Sequence, residues 1–151
     1  PQIVRRIIEM DADNEKSFTE DSNRNIRVRR EHIGGILIEN CGNPQFSEAV
    51  FPNFKFNLSR ANRFCKMQDG SIVEIINFAH CVISDTVVAI GATYEVVGDL
   101  YQKPCSSSLL DICIVRKSSR ELSYWELNKI TSKLICLPYK NNFVVLPFLH
   151  I

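Results

Sequence analysis

Downstream of Gly34 the apolar residues come in short runs cut by turn-forming residues, and no stretch of twelve or more carries a clean helical period with caps. The clearest pattern starts in KMQDGSIVEIINF (66–78). Its Asp-Gly turn leads into SIVEIINFAHCVI (71–83), a strand with Ile72, Glu74, Ile76 and Phe78 on one side and Val73, Ile75 and Asn77 on the other. Mostly apolar on both sides, it predicts a central strand. Ser84-Asp85 makes a turn, and TVVAIGATYEVVGDLY (86–101) predicts the returning strand of a hairpin, with a glycine break at Gly91.

The remaining runs are shorter. GGILIEN (34–40) predicts an apolar strand closed by the turn composition NCGNP. AVFPNFKFN (49–57) carries a proline among Phe51, Phe54 and Phe56, which suits an edge strand or an irregular segment. LSRANRFCKM (58–67) spaces Arg60, Arg63 and Lys66 three apart, as one face of a helical turn or an exposed basic strip. After the loop KPCSSS (103–108) come LLDICIVRK (109–117) and LSYWELNKI (122–130). LICLPY (134–139) and FVVLPFLH (143–150) flank Lys140-Asn141-Asn142, again a hairpin composition. Short strands at this spacing predict a mainly all-β domain, a barrel or a sandwich.

Residues 1–31 read differently, as a polar arm or linker leading into a domain at 32–151. Within it, residues 9–21 hold six acids against one lysine, and residues 24–30 hold four arginines. Charge segregated in this way buries little surface and suits a solvated connection. The start at Pro1 and the apolar finish predict a domain excised from a longer chain, with room for one core in 151 residues.

A net charge of +1 gives no global pull toward nucleic acid, so a basic surface would have to be local. No apolar run has the length of a membrane span. The six cysteines are spaced by 24, 16, 24, 8 and 23, without a C-x-x-C pair. Cys65, Cys81, Cys113 and Cys136 sit inside apolar runs, as small buried hydrophobes do. A reducing, intracellular compartment follows as the expectation.

Taken in order, DGSIVEI, VVGDLYQKPCSSS, ICIVRK, ELSYWELNKITSKLICLPY and FVVLPFLH form a recognisable succession. It resembles the C-terminal region of uncharacterised animal proteins derived from DNA transposons, over about residues 65–150. The layout is also similar to a bromo-adjacent homology (BAH) domain, with Ile130 to Cys136 standing where that family's closing segment would. The resemblance implies a small, partly open β-barrel, BAH-like or SH3-like, and a nuclear, chromatin-associated setting. The family's W-[FY]-x-R-P-x-E-T pattern is missing; only DLYQKP (99–104) stands near it.

Candidate chemistry is sparse. Five residues apart on a strand, Asp69 and Glu74 would stand about 16 Å apart, too far to share a metal. His80 and Cys81 are neighbours on a strand and face opposite ways, so they make no nucleophile and base. Cys41 and His32 form only a loose cluster, without the two close ligand pairs of a zinc site. No catalytic residue, metal or cofactor is expected. Phe78, Tyr94, Tyr101 and Trp125, with Tyr124 beside the last, could form an aromatic cage for a methylated lysine. Arg24, Arg27, Arg29 and Arg30 make one basic cluster, and Lys55, Arg60, Arg63 and Lys66 another. They could follow a phosphate backbone. The expected function is therefore a non-catalytic nuclear interaction module that binds chromatin or a protein partner. Direct DNA binding through the arginine-rich arm and basic strip is the alternative.

Overall fold

A computed structural model describes residues 25–118 and 120–148 of the chain. These form ten antiparallel strands: β1 (Arg27–His32), β2 (Cys41–Val50), β3 (Lys55–Asn57), β4 (Phe64–Met67), β5 (Ile72–Cys81), β6 (Thr86–Asp99), β7 (Cys113–Lys117), β8 (Ser123–Glu126), β9 (Ile130–Tyr139) and β10 (Asn142–Pro147). Three short 3-10 turns join them, and no α-helix occurs among the described residues. The domain is all-β.

The organising element is the β5–β6 hairpin, which pairs from Ile72↔Tyr94 to Cys81↔Thr86 as the Asp-Gly and Ser-Asp turns predicted. Asp69 shapes the first turn: its Oδ1 accepts the Ser71 N–H at 2.9 Å, and Gly70 adopts φ 92°. β5 is central, with β6 on one side and β4 and β2 on the other. Its first half (Ile72–Glu74) pairs with β4, and its last residues (Phe78–Cys81) pair with β2. β6 divides in the same way, with Val88–Gly91 against β8 and Tyr94–Asp99 against β7.

The division falls at a bulge. Ile75 pairs with Gly91 and Asn77 with Ile90, so Ile76 is the extra residue. Strict alternation would put Phe78 beside Ile72 and Glu74. The bulge reverses the sides, and Phe78 is buried with Val73 and Ile75 instead. Gly91 makes the bend possible, since a Cβ there would lie 2.4 Å from the Glu74 carbonyl oxygen and 2.8 Å from Val73 Cγ1.

Strands β5, β4, β9, β10, β7 and β6 pair in a closed circuit, so the sheet is partly ringed, and β1, β2, β3 and β8 extend from it. Two cores result. Phe64, Ile72, Cys113, Val115, Leu134 and Val145 pack on the inward side of the ring, backed by Tyr94, Cys136 and Phe143. The larger core lies between the ring's outer side and the added strands, around Phe46, Phe56, Phe78, Ile75, Leu127 and Ile130.

Three expected elements differ. GGILIEN is a loop, in which Ile36 and Leu37 are exposed. Gly35 presses against the buried amides of Asn77 and Gln45, with its N–H bonded to Gln45 Oε1 at 3.0 Å. Asn77 Nδ2 donates to the Ile36 carbonyl at 3.0 Å, so side-chain amides satisfy this segment where a strand partner would otherwise be needed. NCGNP opens β2, its proline absorbed at a register shift between Gly42 and Gln45. The arm is shorter than expected at its C-terminal side: Arg27–His32 is strand β1, with Val28 and Arg29 buried against β2. The acidic stretch at 9–21 and Arg24 lie outside the described residues.

Candidate functional site

Among the described residues, five of the basic candidates are held by acids. Glu48 stands opposite Arg29 across β1 and β2, where it is 4% exposed. Arg29 Nη1 lies 3.2 Å from its Oε1 and Arg30 Nε 3.4 Å from its Oε2, with Lys55 Nζ at 3.9 Å. One buried acid thus gathers three cations from both clusters. Lys66 is paired to Asp111 at 2.7 Å, and Arg63 to Glu74 at 2.5 Å. Arg27 is half-buried, and Arg60 is exposed.

The aromatic candidates do not assemble into one cage either. Phe78 is fully buried in the larger core and can face no ligand. Tyr101 is exposed in the loop after β6. Trp125 packs on the larger core and lines an open cleft of about 340 Å³ with Met67, Gln68, Asp69 and Lys129. Only Tyr94 stands among other rings, and they are not the ones the sequence suggested. Phe64 meets it edge-on at 5.2 Å between centroids, and Phe143 does so at 6.1 Å.

Those three rings converge at one mouth of the ring of strands. A pocket of about 210 Å³ opens there between Phe64, Tyr94, Phe143 and Pro138, with Glu74, Cys136, Arg63 and Arg60 completing the wall. Register explains the convergence. Phe64 pairs with both Glu74 and Leu134, Ile72 with Tyr94, and Pro138 with Phe143, so side chains from five strands point inward together.

Glu74 is the electrostatic centre. It is 8% exposed, accepts a hydrogen bond from the Tyr94 hydroxyl at 3.1 Å on Oε1, and holds Arg63 on Oε2. Burial, and then the Glu74 charge, push the Tyr94 phenol above its ordinary value, so it stays a donor. Burial likewise raises the Cys136 thiol to about 11, with Glu74 adding to the effect. A thiol held that high is protonated at neutral pH and is a poor nucleophile. Arg63 is incompletely satisfied: its buried Nε has no hydrogen-bond partner, so its grip on the pocket is through one end of the guanidinium. The pocket therefore offers a carboxylate and three aromatic rings, with an arginine already against the acid.

His80 bonds Asp85 Oδ1 at 2.8 Å by the β5–β6 turn, away from any thiol chemistry with its neighbour Cys81. Among the described residues no three His, Cys, Asp or Glu side chains group as a metal site, and no helix is long and apolar enough to cross a membrane.

Residues 31–148 match the family described as a domain of unknown function, DUF8592. The chain belongs to this family. No curated protein and no solved structure matches the chain. The DUF8592 match begins inside β1 and ends just after β10, so it takes in the whole ring and the pocket at its mouth.

Proposed function

We propose that this DUF8592 domain is a non-catalytic interaction module, a BAH-like or SH3-like barrel whose mouth receives a cationic side chain of a protein partner, chromatin tails among them. One observation carries the reading: three rings and a buried carboxylate converge on a pocket sized for a single side chain. A lysine ammonium, bare or methylated, would meet ring faces and the Glu74 charge together. Arg63 occupies the position such a ligand would take, so binding exchanges one cation for another at the carboxylate. That exchange gives modest affinity, because the partner's cation gains only what Arg63 gives up.

The test is titration of the isotope-labelled domain with basic peptides carrying unmodified or trimethylated lysine. Resonances of Phe64, Glu74, Tyr94 and Phe143 should move, and Glu74→Gln should abolish the effect while the fold is retained. Peptide binding that leaves those four residues unperturbed would place the interaction elsewhere. Direct DNA binding is the competing reading, and it expects duplex DNA to perturb Arg27, Arg60 and Arg63 instead.

A further inference from the structure

At the opposite end of β5 from the pocket, two thiols face each other across a strand pair. Cys41 of β2 is the direct register partner of Cys81 of β5. Directly opposed residues of an antiparallel pair have Cα atoms about 4.5–5.5 Å apart, inside the range of roughly 4.4–6.8 Å that a disulfide spans. Both thiols are free. No other two of the six cysteines are partners in any register of the described strands.

The surroundings of the two sulfurs differ. Burial disfavours a Cys81 thiolate, but polar groups of Ser84, Ile83 and Tyr124 favour it and lower its pKa. Cys41 shifts the other way, raised by burial and by the charge on Cys81. They also differ in access, since Cys41 is half-buried and Cys81 buried. Tyr124 also lines an open groove of about 550 Å³ with Ile38, Asn40 and Leu122, which brings small solutes to the chain beside Cys41.

We propose that Cys81 and Cys41 form a hydroperoxide-reactive dithiol that closes to a disulfide across β2 and β5. In the first step the Cys81 thiolate attacks one oxygen of the hydroperoxide and the O–O bond breaks. For hydrogen peroxide the departing hydroxide takes the Cys41 proton and leaves as water, with Cys81 now a sulfenic acid. In the second step the Cys41 thiolate attacks the Cys81 sulfur, the S–O bond breaks, and the hydroxide leaves as water with a proton from solvent. One peroxide is reduced to two waters, and the two thiols are oxidised to one disulfide. The bond would tie the 33–40 loop to the β5–β6 turn, which now meet through the Val82 N–H and the Asn40 carbonyl at 2.9 Å.

The experiment treats the reduced chain with equimolar hydrogen peroxide, alkylates the remaining thiols and maps the peptides by mass spectrometry. The expected product is a single crosslink, Cys41 to Cys81, with the other four cysteines alkylated. In Cys41→Ser the second step is impossible, and a sulfenic-acid probe should label Cys81. Tyr124→Phe removes one donor to the thiolate. A less stabilised thiolate forms less readily but is also a better nucleophile, so the net slowing should be roughly three- to tenfold. The unmodified chain carries the primary test, which does not depend on how any variant folds. Recovery of all six thiols in reduced form, or crosslinks that do not join Cys41 to Cys81, overturns the proposal. An unchanged rate for Tyr124→Phe overturns the part given to the phenol.

Discussion

Glu48 and Glu74 are each a lone acid in an apolar run, and each turns out to be the buried centre of a charge network. Three of their partners, Arg29, Arg63 and Tyr94, are 11 to 20 residues away in the chain, and sequence spacing has no way to show that. The arginines were legible as a cluster; their neutralisation was not, because it depends on strand register. Removing the acid should cost more than removing a surface charge. Glu74→Ala leaves Arg63 and the Tyr94 hydroxyl facing a half-closed pocket, and should lower stability by about 2 kcal/mol in urea unfolding. That is below the 3–5 kcal/mol of a fully buried pair because the Arg63 side chain stays 28% exposed. A loss under about 0.5 kcal/mol would mark the pair as a surface ion pair. Asp99 gives a pH-dependent counterpart. Its carboxylate accepts hydrogen bonds from the Ser108 hydroxyl, from Ser106 Oγ at 2.7 Å and from the Ser108 N–H at 3.0 Å, and these hold its pKa below the usual carboxylate value. A folded pKa below the unfolded one means the contribution is complete above the unfolded value and lost as pH falls through the folded one. Amide exchange at Ser108 should therefore accelerate below about pH 4, with slower change in the β5–β6 hairpin.

At the scale of elements, the hairpins were readable because their turns carry strong local chemistry: Asp-Gly before β5, Ser-Asp before β6 and Lys-Asn-Asn before β10. The glycine break was readable too, but not its consequence. One extra residue at Ile76 exchanges the faces of β5, which is why Phe78 packs in the larger core and Tyr94 takes the site an aromatic cage would use. Phe64 and Phe143, the rings that do join Tyr94, sit in short strands whose inward side is set only by the partners they pair with. The bulge makes a sharp prediction. Gly91→Ala places a methyl group against rigid backbone, and should cost about 1–3 kcal/mol, readable as a fall in the thermal midpoint. If that substitution were neutral, the close approach of β6 to the Glu74 carbonyl would be wrong. Phe78→Ala, which opens a void in the larger core, should cost about 3–5 kcal/mol and leave the pocket residues in place.

Across the whole molecule, the ring and its added strands put the pocket at one end of β5 and the facing thiols at the other. All-β architecture follows from runs and turns, whereas ring closure requires β9 to reach β4 across more than sixty residues, as in Cys65↔Lys133. The proposed binding surfaces are those this closure creates, and the two readings of the basic residues separate on one substitution. If the mouth receives a partner's cation, Arg63 competes with the ligand. If the domain grips DNA, Arg63 helps to hold it. The decisive measurement is the affinity of Arg63→Ala for a trimethyl-lysine peptide and for duplex DNA, set beside the unsubstituted chain. Freeing Glu74 should tighten peptide binding by about tenfold, or 1.4 kcal/mol, and leave DNA binding absent or unchanged. Weaker peptide binding together with a loss of DNA affinity would contradict the account.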